Sequence, residues 1–238
     1  MAGSTASWPV DDIEAIFLTH GHEDHIGAVP YLLRERSDIR IIGSQLTLAF
    51  VAPKLKERRI TAPMTQVKAG QIEKVGPFTL EFVTVNHSIP DSLAVAIKTP
   101  AGVILHTGDF KMDKMPLDGK VTDLETFERL GKEGVDLFLV DSTNADVPGL
   151  TVAEKDIYPA LKEAIAKTPR RVVVTSFASH VHRIQQVLTA ANEANRKVAY
   201  VGRSMIRNMK LAQDLGYLKV PNGLVVDYKD IDSYGDKI

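Results

Sequence analysis

The first part of the chain alternates short apolar runs with segments of helical spacing. The run IEAIFLT, residues 13–19, has the length of a strand and ends abruptly at the polar segment HGHEDHIGAVP. Residues 28–36 and 47–58 have helical spacing, and residues 39–42 form another short apolar run. We therefore predict the order β-α-β-α, with a histidine-rich loop directly after the first strand.

Between residues 67 and 106 the apolar positions recur mostly every second residue, with glycine and proline at the turns. This pattern predicts antiparallel strands. A helix at 124–132 and a buried strand in VDLFLV, which ends at Asp141, are predicted to follow. Helices on the outer faces of a sheet-rich core fit this order better than a purely parallel sheet does.

Beyond Pro148 the sequence becomes a regular α/β alternation. The strands RVVVTS and KVAYVG alternate with helices predicted at 152–167, 179–195 and 204–215. Such alternation is typical of a parallel sheet. We predict two domains, residues 1–150 and residues 151–238, of which the second is a parallel α/β unit.

The composition limits the classes of partner and of metal ligand that the protein can use. The 29 Lys and Arg are balanced by 30 Asp and Glu, so any RNA site must be local. The lack of cysteine excludes disulfides, thiolate zinc sites and thiol nucleophiles, and is consistent with a reducing cytosol. No apolar run is long enough for a membrane span, and the chain does not start like a secreted one. We expect a globular cytoplasmic protein that does not contact membranes.

The segment HGHEDH brings four candidate metal ligands into six residues: His20, His22, Asp24 and His25. Because the segment follows a strand and contains Gly21, it can curl so that its side chains point at two neighbouring positions. One loop could then serve two metal ions. Imidazoles and carboxylates without thiolates suit Zn²⁺, and Mn²⁺ would also be accepted.

Two more candidates follow later strands. His87 comes after LEFVTV, and Asp109, in ILHTGDF, follows a glycine turn from which its carboxylate could bridge two cations. A lone histidine is usually a loop or capping residue, but the presence of HGHEDH favours a ligand. His106 is expected to pack beside the site rather than bind metal. For His180 and His182 a surface or capping role is expected.

Together, HGHEDH, His87 and Asp109 resemble the metal motifs of the metallo-β-lactamase superfamily, whose fold is an αββα sandwich with two metals at one edge. The resemblance implies an α/β fold of this α+β sandwich type, extended here by part of an inserted parallel α/β domain. It also implies that one zinc is held by His20, His22 and His87, the other by Asp24 and His25, and that Asp109 bridges them.

Longer runs, among them HTGDFKMD, VDSTNAD and SFASHVHRIQQV, resemble the ribonuclease J family of the β-CASP group from about Asp11 onward. The resemblance implies that Asp141 is an acidic catalytic residue and that the second half is part of the β-CASP domain. The alternative for Asp141 is a turn carboxylate at a strand end. The family also has strands before HGHEDH and later histidine motifs, so we expect a fragment that lacks both and could be inactive alone.

The activity implied is hydrolysis of RNA phosphodiester bonds, as a 5′-to-3′ exonuclease and endonuclease in mRNA decay and rRNA maturation, by a dimer or tetramer. Asp24 or Asp109 would orient the attacking water. RNA is expected in the cleft between the halves. The candidate contacts are phosphate binding at Ser176, Ser179, Arg183 and Ser204 and base stacking on Phe177.

An alternative of equal weight is that the serines are ordinary helix caps and that Phe177 is buried. Two other functions also stay open. A lactonase or thioesterase acting on small molecules would use the same metal loop, although the second α/β half argues against it. A non-catalytic RNA-binding scaffold is the other alternative.

Overall fold

The first sheet of the computed structural model is parallel and carries the histidine-rich loop. Its strands are β1 (Ala15–Leu18), β2 (Arg40–Gly43) and β3 (Met64–Gln66), in that order. Helices α1 (Glu23–Ile26), α2 (Val29–Glu35) and α3 (Gln45–Glu57) connect these strands. The structure describes residues 10–149, 152–236 and 238, so the predicted domain boundary between residues 150 and 151 lies outside the described residues.

The second sheet is mostly antiparallel, as the period of two predicts. Its order along the sheet is β4 (Ile72–Val75), β5 (Phe78–Thr84), β6 (Leu93–Thr99), β7 (Gly102–His106) and β8 (Leu137–Leu139), and only the β7–β8 pair is parallel. Helix α4 (Leu124–Glu133) precedes β8. Residues 67–71, where the predicted antiparallel strands begin, do not form a strand. Strand β3 was not predicted, because the residues around it have no apolar periodicity.

The two sheets stack face to face with helices on both outer sides. Phe17 of β1 packs against Phe82 of β5, with ring centroids 5.1 Å apart. On the far side of the second sheet, Leu130 of α4 covers Ala94 and Leu105. Helices α2 and α3 bury their apolar sides in the core of the first sheet. This is the predicted α+β sandwich, with its layers in the order helix, sheet, sheet, helix.

The second half packs onto the α3 side of the sandwich. It contains a 3-10 turn (Glu154–Ile157), then α5 (Tyr158–Lys167), α6 (Val181–Glu193), β9 (Val198–Ala199), α7 (Arg203–Asp214) and β10 (Val225–Val226). Strands β9 and β10 pair in parallel. Leu188 of α6 and Met209 of α7 share one core with Phe50 of α3. The helices of the second half therefore contact the first half directly.

Two predictions about strands are wrong. RVVVTS forms no strand with any residue that the structure describes, and Val173 is 85% exposed. Its apolar residues predict a strand, but a strand needs a hydrogen-bonded neighbour, and β9 pairs with β10 instead. VDLFLV does form β8, but as an exposed rather than a buried strand, because no described element covers Phe138.

None of the helices in the described ranges is long and apolar enough to cross a bilayer.

Candidate metal centre

The first histidine of the loop lies in the interior, two residues after the end of β1. His20 is completely buried, and Thr19 Oγ1 lies 3.0 Å from its Nδ1, which leaves Nε2 to face the centre of the site. The next position has no room for a side chain. A Cβ at Gly21 would lie 3.1 Å from a carbon of Phe50 and 3.3 Å from a carbon of Ile89. Glycine therefore allows the turn from His20 to His22 against the core.

The histidine rings gather around His20. Its ring centroid lies 4.0 Å from that of His25, 4.7 Å from that of His87 and 4.9 Å from that of His22. His87 arrives on the loop after β5, so two separate strands contribute to one cluster. The structure thus brings together all four histidines that the sequence singled out as ligands.

Asp109 reaches the middle of this cluster after a left-handed turn. Gly108 has φ +60°, and a Cβ there would lie only 2.8 Å from Thr19 Cβ. The Oδ2 atom of Asp109 lies 3.4 Å from His25 Nε2 and 3.9 Å from both His20 Nε2 and His87 Nε2. One carboxylate oxygen therefore faces three imidazoles.

The ligand atoms fall into two overlapping groups, each within 4.8 Å: His20 with His22 and His87, and His20 with His25 and Asp109. Asp24 belongs to neither group. Its side chain is 77% exposed, and its Oδ2 lies 3.5 Å from His25 Nε2. The second group thus contains His20 where the family pattern predicts Asp24.

The donor atoms are in the state that a divalent cation needs. Burial, followed by the neighbouring histidines, lowers the pKa of His20 to about 2 and that of His87 to about 3. Burial likewise lowers the pKa of His22 to about 4. These rings are neutral near pH 7 and keep a lone pair. The Nε2 atoms of His20 and His87 are buried without a hydrogen-bond partner among the described residues, so the cluster fits a metal.

His22 is held from both sides by hydroxyl groups. Its Nε2 lies 2.7 Å from Ser88 Oγ, on the loop after β5, and its Nδ1 lies 2.5 Å from Ser179 Oγ, just before α6. Sequence reasoning missed both contacts. Ser88 lies in the polar segment NHSIPDS, which gives no specific signal, and Ser179 was singled out for RNA instead.

Comparison with known proteins identifies the family. Residues 4–123, half of the chain, match the family model described as Metallo-beta-lactamase superfamily. The chain belongs to this superfamily. Residues 169–238 match the model described as Ribonuclease J, beta-CASP domain.

Relatives within the superfamily cover almost all of this chain. Proteins named Ribonuclease J from Corynebacterium glutamicum, Mycobacterium tuberculosis and Thermus thermophilus are 51%, 52% and 46% identical over 93%, 92% and 89% of it. The chain spans only 32–39% of the length of these relatives. A solved protein of unknown function from Enterococcus faecalis V583 has the same fold, with TM-score 0.66, 18% identity, and coverage of 91% of this chain and 55% of that one.

Asp141 and His106 lie at the edge of the candidate metal centre. The Oδ1 atom of Asp141 accepts hydrogen bonds from the N–H and hydroxyl of Thr143, and Oδ2 accepts one from the N–H of Phe110 at 3.4 Å. Burial raises the pKa of Asp141, but the hydrogen bonds to its charged form lower it further, so the pKa lies below its usual value. His106 Nδ1 accepts from the N–H of Gly108. Both side chains thus contact the loop that carries Asp109.

The candidate RNA residues are less closely grouped. Ser179 is buried against His22, and Arg183 is paired with Glu154 at 2.8 Å. Ser176 is half-buried, and Ser204 is exposed in the first turn of α7. Phe177 is 77% exposed, so the reading of a buried Phe177 is wrong.

The two later histidines are internal rather than superficial. His180 caps α6, because its Nδ1 accepts from the N–H of Arg183 at 3.2 Å. His182 is buried, with its Nε2 3.5 Å from Asp118 Oδ2. The capping role expected for His180 is confirmed, and a surface role for His182 is wrong, because its side chain is buried beside Asp118.

A cavity of about 500 Å³ borders His87 where the two halves meet. Its lining comes from the first half, including Lys68, Asn86, Asp118 and Lys120, and is joined by Tyr217 of the second half. Among the candidate ligands, His87 lines this cavity.

Proposed function

We propose that this chain carries the metal centre of a ribonuclease that hydrolyses RNA phosphodiester bonds with two divalent cations, zinc in first place and manganese as a substitute. The observation that supports this most is the position of Asp109, whose Oδ2 lies within 3.9 Å of three imidazole nitrogens. A carboxylate that faces ligands of two overlapping groups has the position of a bridging ligand. The relatives named Ribonuclease J support RNA as the substrate.

The proposed ligands follow the family pattern. His20, His22 and His87 would hold one cation, Asp24 and His25 the other, and Asp109 both. Cations here would supply a nucleophilic water and polarise a phosphoryl oxygen.

The carboxylates of the chain have distinct parts in this proposal. Asp109 would accept a hydrogen bond from the attacking water and so fix its direction. Asp24, which is exposed and has its Oδ2 atom 3.5 Å from His25 Nε2, would accept such a hydrogen bond in the same way. Asp141 would hold the Asp109 loop in place through the N–H of Phe110.

We further propose that residues 1–150 form the metal domain and residues 151–238 a part of the β-CASP domain that guides RNA across it. The RNA contacts would come from Ser176, Phe177, Ser179, Arg183 and Ser204. The whole protein would act as a 5′-to-3′ exonuclease and endonuclease on mRNA and rRNA precursors, as a cytoplasmic dimer or tetramer. The resemblance to ribonuclease J supports these finer assignments.

The test is Asp109→Asn, with Asp146→Asn on an exposed loop as the matched control. Zinc per chain is measured for both variants and the unaltered chain, and nucleotide release from 5′-phosphorylated RNA is measured for the same variants of the full-length protein. We expect Asp109→Asn alone to lower the zinc content and to abolish cleavage, while its circular dichroism spectrum stays unchanged.

Unchanged zinc content and cleavage in Asp109→Asn would contradict the proposal. Hydrolysis of a lactone or thioester to a free acid, without RNA cleavage, would indicate the small-molecule hydrolase instead. RNA binding in the presence of chelator, without metal uptake or cleavage, would indicate a scaffold.

A further inference from the structure

Glu154 is a buried carboxylate at the junction of the two halves. It is 5% exposed and begins the 3-10 turn before α5. Its Oε1 accepts a hydrogen bond from Arg183 Nε at 2.9 Å, and Arg183 Nη2 lies 2.8 Å from the same oxygen. Its Oε2 accepts from Lys111 Nζ at 3.3 Å. One acidic side chain therefore joins a cation of α6 to a cation of the Asp109 loop.

The backbone of Glu154 makes the same connection. Its N–H donates to Asp113 Oδ2 at 2.9 Å, and its carbonyl accepts from Gln186 Nε2 at 2.7 Å. Asp113 is itself buried and lies on the segment just after Asp109. Through side chain and backbone, Glu154 thus ties residues 111–113, which we name the strap, to the first turns of α6.

The strap is attached to two of the candidate metal ligands. Lys111 follows Asp109 by two residues, and its N–H donates to the carbonyl of Asn86 at 2.8 Å. Asn86 directly precedes His87. A shift of the strap would therefore move both Asp109 and His87.

The α6 end of the connection reaches a third ligand. Ser179, two residues before α6, contacts His22 Nδ1 at 2.5 Å, and His180 caps the helix at Arg183. One candidate ligand of the first half, His22, thus contacts the segment that leads into α6 of the second half. Glu154 contacts both the strap and α6.

We propose that Glu154 is a positioning residue for the metal centre: it locks the strap to α6 and so fixes the spacing of His22, His87 and Asp109. This inference rests on the proposed metal site. Without the carboxylate, the partly buried side chains of Lys111 and Arg183 lose their shared partner, and Lys111 is left with Asp113 of the strap itself, at 3.6 Å. The ligands then lose the fixed arrangement that tight metal binding requires, an effect that for residues behind the ligands amounts to about tenfold to a hundredfold in affinity.

The test uses Glu154→Gln in the whole chain, with Ile165→Ala as the control. Ile165 is buried in α5 and packs against Val187 and Ala190 of α6, away from the strap and the ligands, so its variant tests whether a loss of packing behind α6 alone weakens zinc binding. Zinc affinity is measured by competition with a chromophoric chelator. Hydrogen exchange of the strap and of the first turn of α6 is measured separately in chelator.

We expect zinc binding by Glu154→Gln to weaken about tenfold or more, and binding by Ile165→Ala to stay unchanged. Exchange should accelerate in both the strap and α6 in Glu154→Gln. A folded Glu154→Gln with unchanged affinity, or with faster exchange in only one of the two segments, would overturn the inference. If Glu154→Gln does not fold, Lys111→Met replaces it in the test. This variant removes the lysine that joins the strap to Glu154, so the same loss of zinc affinity and the same faster exchange are expected.

The two proposals fail differently. If the unaltered chain takes up no zinc, the metal site fails, and hydrogen exchange still decides whether Glu154 couples the strap to α6. If the unaltered chain binds zinc and the variant binds it equally well, only the role of Glu154 fails.

Discussion

Ser179 Oγ lies 2.5 Å from Nδ1 of His22, across 157 residues of sequence. The other ring nitrogen of His22, Nε2, lies 2.7 Å from Ser88 Oγ. A neutral imidazole has one N–H donor and one lone pair, so one serine accepts and the other donates. A metal would take one of these nitrogens and displace its serine, while the other serine would keep the ring oriented.

This relationship predicts opposite effects for two similar variants. One of Ser88→Ala and Ser179→Ala should weaken zinc binding about tenfold, because it removes the hydroxyl that orients the ring. The other should leave zinc binding unchanged or strengthen it, because it removes a competitor of the metal. Competition titrations of both variants measure this. Equal losses in both would contradict this prediction, because neither hydroxyl would then compete with the metal.

Much of the first half could be predicted from its sequence because each element there buries its own periodic face. The alternation in β5 and β6 matches side chains that point to two different cores, and HGHEDH follows β1 directly. His87 and Asp109 were found because strand ends at one sheet edge meet. These signals are local, and local signals can be read from sequence.

The features that the sequence did not predict depend on contacts between distant segments. Val173 has the side chain of a strand residue, but no described neighbour pairs with it. Ser179 looks like a residue near a helix cap, yet it contacts a histidine of the other half. Glu154 carries no motif, and only the fold brings Lys111 and Arg183 to it. Pairings of this kind depend on the packing of the halves, which periodicity does not encode.

The buried histidines predict a pH-dependent stability in chelator. Burial lowers the pKa of His20, His22, His87 and His180 to between about 2 and about 4. The unfolded chain binds their protons below about pH 6.5, so it is favoured as the pH falls from 6.5 toward 4. Each such histidine lowers the free energy of unfolding by about 1.4 kcal/mol per pH unit in that range.

Urea unfolding in chelator at pH 7, 6 and 5 measures this effect. The slope with pH should decrease in His180→Gln, which has one buried imidazole fewer. A free energy of unfolding that is the same at pH 7 and pH 5 would contradict the prediction.

Gly108→Ala should destabilise the chain more than Gly119→Ala. Both glycines have positive φ, +60° and +74°, so both variants carry the strain of a left-handed alanine, about 1 kcal/mol. Only at Gly108 does the new Cβ meet another residue, at 2.8 Å from Thr19 Cβ, whereas Gly119 has open space around it. Urea unfolding gives the difference. Zinc affinity should fall only in Gly108→Ala, since Asp109 would be displaced; equal effects in the two variants would exclude the close contact as the cause.

Phe177→Ala should weaken binding of single-stranded RNA without changing stability. The ring is 77% exposed and lies two residues before Ser179, so its loss removes no packing but takes away a surface for base stacking. Stacking of one base on an aromatic ring contributes about 1–3 kcal/mol, which corresponds to an affinity loss of roughly fivefold to a hundredfold. Fluorescence anisotropy with a labelled oligonucleotide measures it. The control is Val173→Ala, which removes a side chain that is 85% exposed but has no aromatic face. If both variants bind RNA as the unaltered chain does, Phe177 is not part of the RNA path, and its exposure must have another cause.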